Sequence, residues 1–185
     1  MWNDGDPCFS DVDEVLVTLG VTLEGGLSTT QANTNWTNPF PKPRVGFFGR
    51  ILGMFGCGAG ETGVIGSRNM NIPTVVSVLR NGEWDHGASP NALAVGDVIQ
   101  LENGTKVPAD CRIVKIFDGG AFQTDESMLT GEPEYVTKHI DAIKKGSGEM
   151  LMALNMAYMD TLIVTGKALA VVSAVGKYAF LGSTR

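Results

Sequence analysis

The sequence predicts a mainly β domain with a small helical segment at its N-terminal end. The chain contains 24 glycines among 185 residues, and glycine favours turns over long helices. From residue 74 onward, short apolar runs alternate with turn signals, a pattern typical of a β-barrel, sandwich or jelly-roll. Helical spacing is seen in residues 1–38, the predicted N-terminal helical segment. The length is enough for one domain with a sizeable core, or for one domain with an appendage.

The helical segment is predicted from apolar spacing and capping residues. Apolar side chains recur every three or four residues over residues 11–19, so one face of a helix is apolar. Ser10 is the predicted N-cap and Gly20 the predicted end of this helix. A second helix is predicted to begin at Ser28, with Gln31 three residues later, and to end soon because Asn and Pro residues follow.

The strands are predicted from apolar runs and tight turns. Residues 74–84 indicate a hairpin around Asn81-Gly82, and residues 97–108 indicate a second hairpin around Asn103-Gly104. Further strands are predicted at residues 112–117, 161–166 and 168–176.

Charge and cysteine content exclude several classes of protein. The net charge is -6 and the pI is near 4.8, so a nucleic-acid partner is not expected, because phosphate backbones require clustered Lys and Arg. Cys8, Cys57 and Cys111 are widely spaced and odd in number, which predicts neither a metal site nor a disulfide partner. No stretch reaches the roughly 20 apolar residues of a membrane span, so the chain itself is expected to be soluble.

The stretch DESMLTGEPEYVTK, residues 125–138, is the candidate site. Asp125 and Ser127 are expected to brace a loop through hydrogen bonds to backbone N–H groups. Lys138 is expected to lie on a solvated face, and so are the two histidines, His86 and His139. Taken alone, the Thr-Gly-Glu step within this stretch is more typical of a solvated turn than of an active site.

Several motifs, taken in order, resemble the actuator domain of P-type ATPases, the ion pumps that form an aspartyl-phosphate. The motifs are LRNGEW at 79–84, VGDVIQLENGTKVPADCRIV at 95–114, TDESMLTGEP at 124–133 and NMAYMDTLIVTGKALAVVSAVGKYAFLG at 155–182. Residues 9–32 are also similar to the N-terminal helical segment of cation pumps. Together these matches are far more specific than the Thr-Gly-Glu step alone.

The resemblance implies a distorted jelly-roll, or double-stranded β-helix, for residues 72–185. It implies that residues 1–38 form the helical N-terminal segment, and that the Gly- and Pro-rich residues 39–71 are a linker in place of a membrane hairpin. A G-x-G-x-x-G match at residues 58–63 lies in this linker. It is not preceded by a strand and followed by a helix, as a dinucleotide loop requires.

The resemblance also implies a role for the loop. In the family, the glutamate of the Thr-Gly-Glu loop orients and polarises the water that hydrolyses the aspartyl-phosphate held on a separate domain. Carried over to this sequence, Glu132 is the water-positioning group or general base, and Thr130 and Gly131 shape the loop. Pro133, where the family more often has serine, joins Asp125 in supporting it.

The implied partners are the phosphorylation domain and the membrane helices of a pump, on the cytoplasmic side of a membrane. ATP and Mg belong to the full pump, and no cofactor or metal is expected on this chain, since the sequence lacks the Asp-Lys-Thr-Gly phosphorylation motif. The chain is therefore expected not to run an ATPase cycle by itself. Two alternatives stay open: a stand-alone regulatory module that docks on a pump or a phosphoprotein, and an unrelated β-barrel binding module.

Overall fold

The structure is a computed structural model, and it describes residues 6–34, 75–117, 119–144 and 153–181. The predicted linker, with Cys57 and the glycine-rich match, lies outside the described residues. The strands are β1 (Val76–Arg80), β2 (Glu83–Ala88), β3 (Val98–Glu102), β4 (Asp110–Ile116), β5 (Phe122–Asp125), β6 (Tyr135–Lys138), β7 (Met156–Ala157), β8 (Leu162–Thr165) and β9 (Lys167–Ala174). The helices are α1 (Val12–Leu19), α2 (Thr29–Thr34) and α3 (Ser127–Thr130).

The strands form two antiparallel sheets. The larger sheet has the order β2-β1-β3-β9-β4-β7, and the smaller has the order β6-β5-β8. The mainly β class with a helical N-terminal segment is therefore confirmed. The described strands do not close into a barrel. Among the described residues, no helix is long and apolar enough to cross a membrane.

The central strands of the larger sheet are buried on both faces, whereas the edge strand β2 is exposed. Ile99 of β3 packs with Phe122 and Ile163 of the smaller sheet, so one core lies between the sheets. The next residue towards the N-terminus, Val98, packs with Val171 in a second core on the opposite face. Because side chains alternate along a strand, two covered faces require nearly continuous apolar runs, as the sequence of β9 shows.

The N-terminal segment covers the second face of the larger sheet. Helix α1 buries Val15 and Leu19 in the same core as Val98, which confirms the predicted apolar stripe. The predicted cap is wrong by one residue: Asp11, not Ser10, accepts the Glu14 backbone N–H at 2.8 Å. A carboxylate there also suits the positive end of the helix dipole.

The second predicted helix and its start are confirmed. The Ser28 hydroxyl accepts the Gln31 backbone N–H at 3.1 Å, and the Gln31 side-chain oxygen accepts the Ser28 N–H at 3.0 Å. This reciprocal pair is a capping box. Just before it, Gly26 has φ +64°, and a Cβ there would lie 2.0 Å from the carbonyl oxygen of Leu79. Only glycine allows the segment to approach β1 this closely.

One of the two predicted hairpins is correct. Strands β1 and β2 pair across Asn81-Gly82, whose φ angles of 51° and 79° match a two-residue hairpin turn. The hairpin predicted around Asn103-Gly104 is wrong. There the chain turns away from β3 and joins the smaller sheet, where the Gly104 N–H donates to the carbonyl of Ile163 at 2.8 Å. The turn therefore connects the two sheets, and β3 instead pairs with β1 and β9.

Candidate functional site

The Thr-Gly-Glu loop joins two paired strands of the smaller sheet. Strands β5 and β6 run antiparallel, with Asp125 opposite Tyr135 at the base of the loop. Between them lies the single helical turn α3, followed by an exposed stretch at residues 131–134. A rigid strand pair therefore presents a short loop to solvent. This exposure argues against an unrelated fold that contains the motif by chance and buries it.

Hydrogen bonds within the loop hold its tip. The Gly131 N–H donates to the carbonyl of Ser127 at 2.8 Å, and the Glu132 N–H donates to the Thr130 hydroxyl at 3.1 Å. Gly131 has φ +76°, and a Cβ at this position would meet no atom within 4 Å. Glycine is therefore favoured here by the backbone dihedral angle and not by crowding within the chain.

The six residues predicted for the site all lie in this loop or at its base. The Asp125 carboxylate accepts the Ser127 backbone N–H at 2.9 Å, which is the kind of brace expected from the sequence. Pro133 is exposed beside Glu132. Glu132 is exposed, and no hydrogen bond or ion pair with another described residue involves its carboxylate.

Sequence reasoning missed a buried ion pair beneath the loop, and its expectation of a solvated Lys138 is wrong. Lys138 is 3% exposed, and its Nζ lies 2.5 Å from Oε1 of the fully buried Glu126. The period-two pattern of Phe122, Thr124 and Glu126 was the available signal, because it places all three side chains on the inner face of β5 and its extension. Lys138 lies directly opposite Phe122 in the ladder and shares that face.

Burial acts against the charged form of both partners. It raises the pKa of Glu126, and the nearby Lys138 ammonium offsets this rise only in part. Burial likewise lowers the pKa of Lys138 against the opposing effect of Glu126. Additional contacts stabilise the pair: the Thr124 hydroxyl donates to Glu126 at 3.1 Å, and Lys138 donates to the carbonyl of Ala153 at 3.3 Å.

The remaining candidates contribute no further site. His86 is exposed, as predicted, and its Nδ1 lies 2.9 Å from the Ser77 hydroxyl, whereas His139 is half-buried and not the surface residue expected. Met156 packs in a small core, as expected for a methionine that fills space. The described residues hold no group of three or more His, Cys, Asp or Glu suited to a metal ion.

Comparisons with known proteins indicate the family of this chain. The family model of the P-type ATPase actuator domain matches residues 70–185. A calcium-transporting ATPase of Plasmodium falciparum (isolate K1 / Thailand) is 38% identical over 112 residues, which are 60% of this chain and 9% of that protein. A calcium-transporting ATPase of Bacillus subtilis (strain 168) is 32% identical over 168 residues, which are 91% of this chain and 18% of that protein.

Among solved structures, a zinc-transporting PIB-type ATPase in the E2.Pi state matches with a TM-score of 0.45 and 23% identity, over 60% of this chain and 16% of that one. The chain thus spans less than a fifth of the length of the two curated relatives. Since the family model covers more than half of the sequence, this chain belongs to the actuator-domain family of P-type ATPases.

Proposed function

We propose that the loop carrying Glu132 drives dephosphorylation in a P-type cation-transporting ATPase. The observation that carries this proposal is the contrast within the loop. The backbone of Thr130, Gly131 and Glu132 is held by hydrogen bonds, while the Glu132 carboxylate is exposed and has no partner among the described residues. The backbone of Glu132 is thus fixed while its carboxylate oxygens can still accept hydrogen bonds. This combination suits a side chain that acts on a ligand brought by another domain.

The chemistry requires one well-placed acceptor. The oxygen of a water molecule attacks phosphorus in line, the bond from phosphorus to the aspartate oxygen breaks, and the aspartate leaves as a carboxylate. Glu132 accepts a hydrogen bond from the attacking water and takes up its proton, which later passes to solvent. Phosphoryl transfer depends mainly on such positioning and on charge stabilisation, so one carboxylate is a sufficient contribution from this chain.

The proposal requires a partner, because a fully hydrated carboxylate is a poor base. The phosphorylation domain of the pump would cover Glu132 and exclude bulk water when it brings its aspartyl-phosphate to the loop. We place ATP and Mg²⁺ on other parts of the pump, and the membrane helices on either side of this domain. Residues 1–38 and 72–185 would then work together on the cytoplasmic side, with residues 39–71 between them.

The test is a chimeric pump. Residues 6–34 and 75–181 replace the matching blocks of the Bacillus subtilis calcium-transporting ATPase, and decay of the phosphoenzyme is followed after labelling from ATP. Calcium is the first ion to test, because both curated relatives are named as calcium transporters. The Glu132→Gln substitution should slow decay by roughly 10²-fold or more, the range for loss of a general base.

A neighbouring residue supplies the matched control. Glu134 is also exposed and lies two residues further along the chain, so Glu134→Gln makes the same chemical change outside the Thr-Gly-Glu motif. Phosphoenzyme decay in that variant should equal that of the unsubstituted chimera. Normal decay in Glu132→Gln, or equal slowing in both variants, contradicts the assigned role.

A further inference from the structure

We propose that the buried Glu126–Lys138 ion pair is a positioning device that sets the location of the Glu132 backbone. This inference rests on the proposed function of the loop. The pair lies beneath the loop and connects its two ends. Glu126 immediately precedes α3, and Lys138 is the last residue of β6.

The pair forms a fixed anchor. Both side chains are fully buried, and Nζ of Lys138 lies 2.5 Å from Oε1 of Glu126. The same carboxylate oxygen accepts the hydroxyl of Thr124, and the ammonium lies 5.5 Å from the centre of the Tyr158 ring. Glu126 is thus held by Thr124 of β5 and Lys138 of β6. Lys138 is itself held by Ala153 and Tyr158.

From this anchor, three hydrogen bonds lead into the loop. The backbone carbonyl of Glu126 accepts the N–H of Leu129 at 2.8 Å, the N–H of Thr130 at 2.9 Å and the hydroxyl of Thr130 at 3.2 Å. The Thr130 hydroxyl in turn accepts the N–H of Glu132 at 3.1 Å. A shift of Glu126 therefore moves Thr130, and a shift of Thr130 moves the backbone of Glu132.

Stability alone does not account for an ion pair at this place. Removing two charges from water is costly, and apolar residues of similar volume are often at least as stable. One oxygen of Glu126, Oε2, has no hydrogen-bond partner within the described part of the chain. An ion pair restricts the relative positions of its two side chains more narrowly than apolar contacts do, and this restriction is what a catalytic loop needs.

The experiment compares two double variants of the 185-residue chain. Glu126→Gln/Lys138→Met removes both charges with little change of volume, and it avoids leaving one charge buried alone. Glu102→Gln/Lys167→Met is the matched control, because it removes an ion pair of 3.0 Å whose side chains are 50% and 43% exposed and which joins β3 to β9. Exposed pairs contribute little to stability.

Hydrogen exchange of single backbone amides is the measurement. In Glu126→Gln/Lys138→Met, exchange at Leu129, Thr130 and Gly131 should quicken at least about tenfold, because local opening becomes easier. Amides of β9 should keep their rates, and the urea midpoint should shift by less than about 0.5 M. The control variant should exchange as the unsubstituted chain does.

Two results overturn the inference. One is unchanged exchange in the loop of Glu126→Gln/Lys138→Met. The other is an equal increase of the amide exchange rates in the loop and in β9, which would mean that the pair contributes only to global stability.

In the chimeric pump, Glu126→Gln/Lys138→Met should slow phosphoenzyme decay without changing the KM for ATP. Normal decay in Glu132→Gln alongside a loosened loop would instead reject the proposed function and leave the anchor in place.

Discussion

Charged residues occupy two opposite settings in this domain, the junction around Arg112 and the tip of the Thr-Gly-Glu loop. The Arg112 side chain is fully buried, and its guanidinium donates to the carbonyls of Pro7 at 3.0 Å, Ser10 at 3.1 Å and Ile140 at 2.8 Å. It also donates to the carbonyls of Ile113 and Asn155. At the loop tip, the Glu132 carboxylate is exposed.

The two settings distinguish a charge that the fold uses for its own contacts from a charge that is exposed to solvent. Burial lowers the pKa of Arg112 to about 10, which still leaves the group charged at neutral pH. Its charge is satisfied by carbonyls from the N-terminal segment, from β4 and from the chain after β6, so it joins these three parts. Glu132 has no such partners among the described residues. Glu132 is therefore an exposed charge that the described part of the fold does not use for its own contacts.

The largest expected loss of stability is at Arg112. Arg112→Met should destabilise the chain by about 3–5 kcal/mol, because several buried carbonyls lose their donor at once. Urea unfolding measures the loss. Lys115→Met is the control on the same strand, where the exposed ammonium lies 5.2 Å from the Phe117 ring centre, and it should cost less than about 1 kcal/mol. Equal losses in the two variants would contradict the assignment of Arg112 as the structural charge.

Gly26 and Gly131 have similar left-handed φ angles but different surroundings, so their substitution compares a packed backbone position with an open one. Gly26→Ala should cost about 3 kcal/mol or more, because the added Cβ meets the carbonyl of Leu79 besides adopting a left-handed φ. Gly131→Ala places its Cβ in open space, so only the dihedral cost of about 1 kcal/mol applies. Thermal or urea unfolding of the two variants gives the difference directly. A larger loss at Gly131 would mean that the loop is packed and not open.

The elements that sequence reasoning predicted correctly depend on local chemistry. The hairpin at Asn81-Gly82, the apolar stripe of α1 and the capping box at Ser28 each rest on residues close in the chain. The exposed loop at residues 131–134 was also predictable, because it consists of polar and turn-forming residues and lacks the apolar spacing of a helix or a strand.

The features that sequence reasoning missed depend on partners that are distant in the chain. Nothing near Asn103-Gly104 indicates that the following residues join β8, because the signal lies in the second sheet. The burial of Lys138 requires Glu126, which directly follows the neighbouring strand β5, and that of Arg112 requires carbonyls more than 100 residues away. A charged residue in a single sequence is expected to be exposed unless its partner is known. The same local reasoning placed the N-cap of α1 one residue early.

Asp110, a buried carboxylate on the same strand as Arg112, gives a smaller and pH-dependent effect. Burial raises its pKa from 3.8 to about 6, although the N–H groups of Met159 at 2.8 Å and Phe180 at 2.5 Å oppose the rise. The folded state therefore holds this proton more tightly than the unfolded state does. The contribution of Asp110 to the free energy of unfolding should fall by about 2–3 kcal/mol as the pH rises from about 4 to about 6.

The Asp110→Asn variant isolates this contribution, because it removes the titrating group and leaves the others. Urea unfolding of both proteins across this pH range gives a difference curve, wild type minus variant, that should decline with pH. A difference that increases with pH would show that the two N–H donors outweigh burial and hold the pKa below its usual value.

The smallest expected change in stability is at Glu132. It tests most directly the comparison between buried and exposed charges. Glu132→Gln should change the free energy of unfolding by less than about 0.5 kcal/mol, because the carboxylate is exposed and no described residue bonds to it. The same substitution six residues earlier, Glu126→Gln, leaves the Lys138 ammonium buried without its counter-charge and should cost about 3 kcal/mol. Urea unfolding at neutral pH measures both. A substantial loss in Glu132→Gln would mean that the chain itself engages this carboxylate, and that the loop is not held ready for another domain.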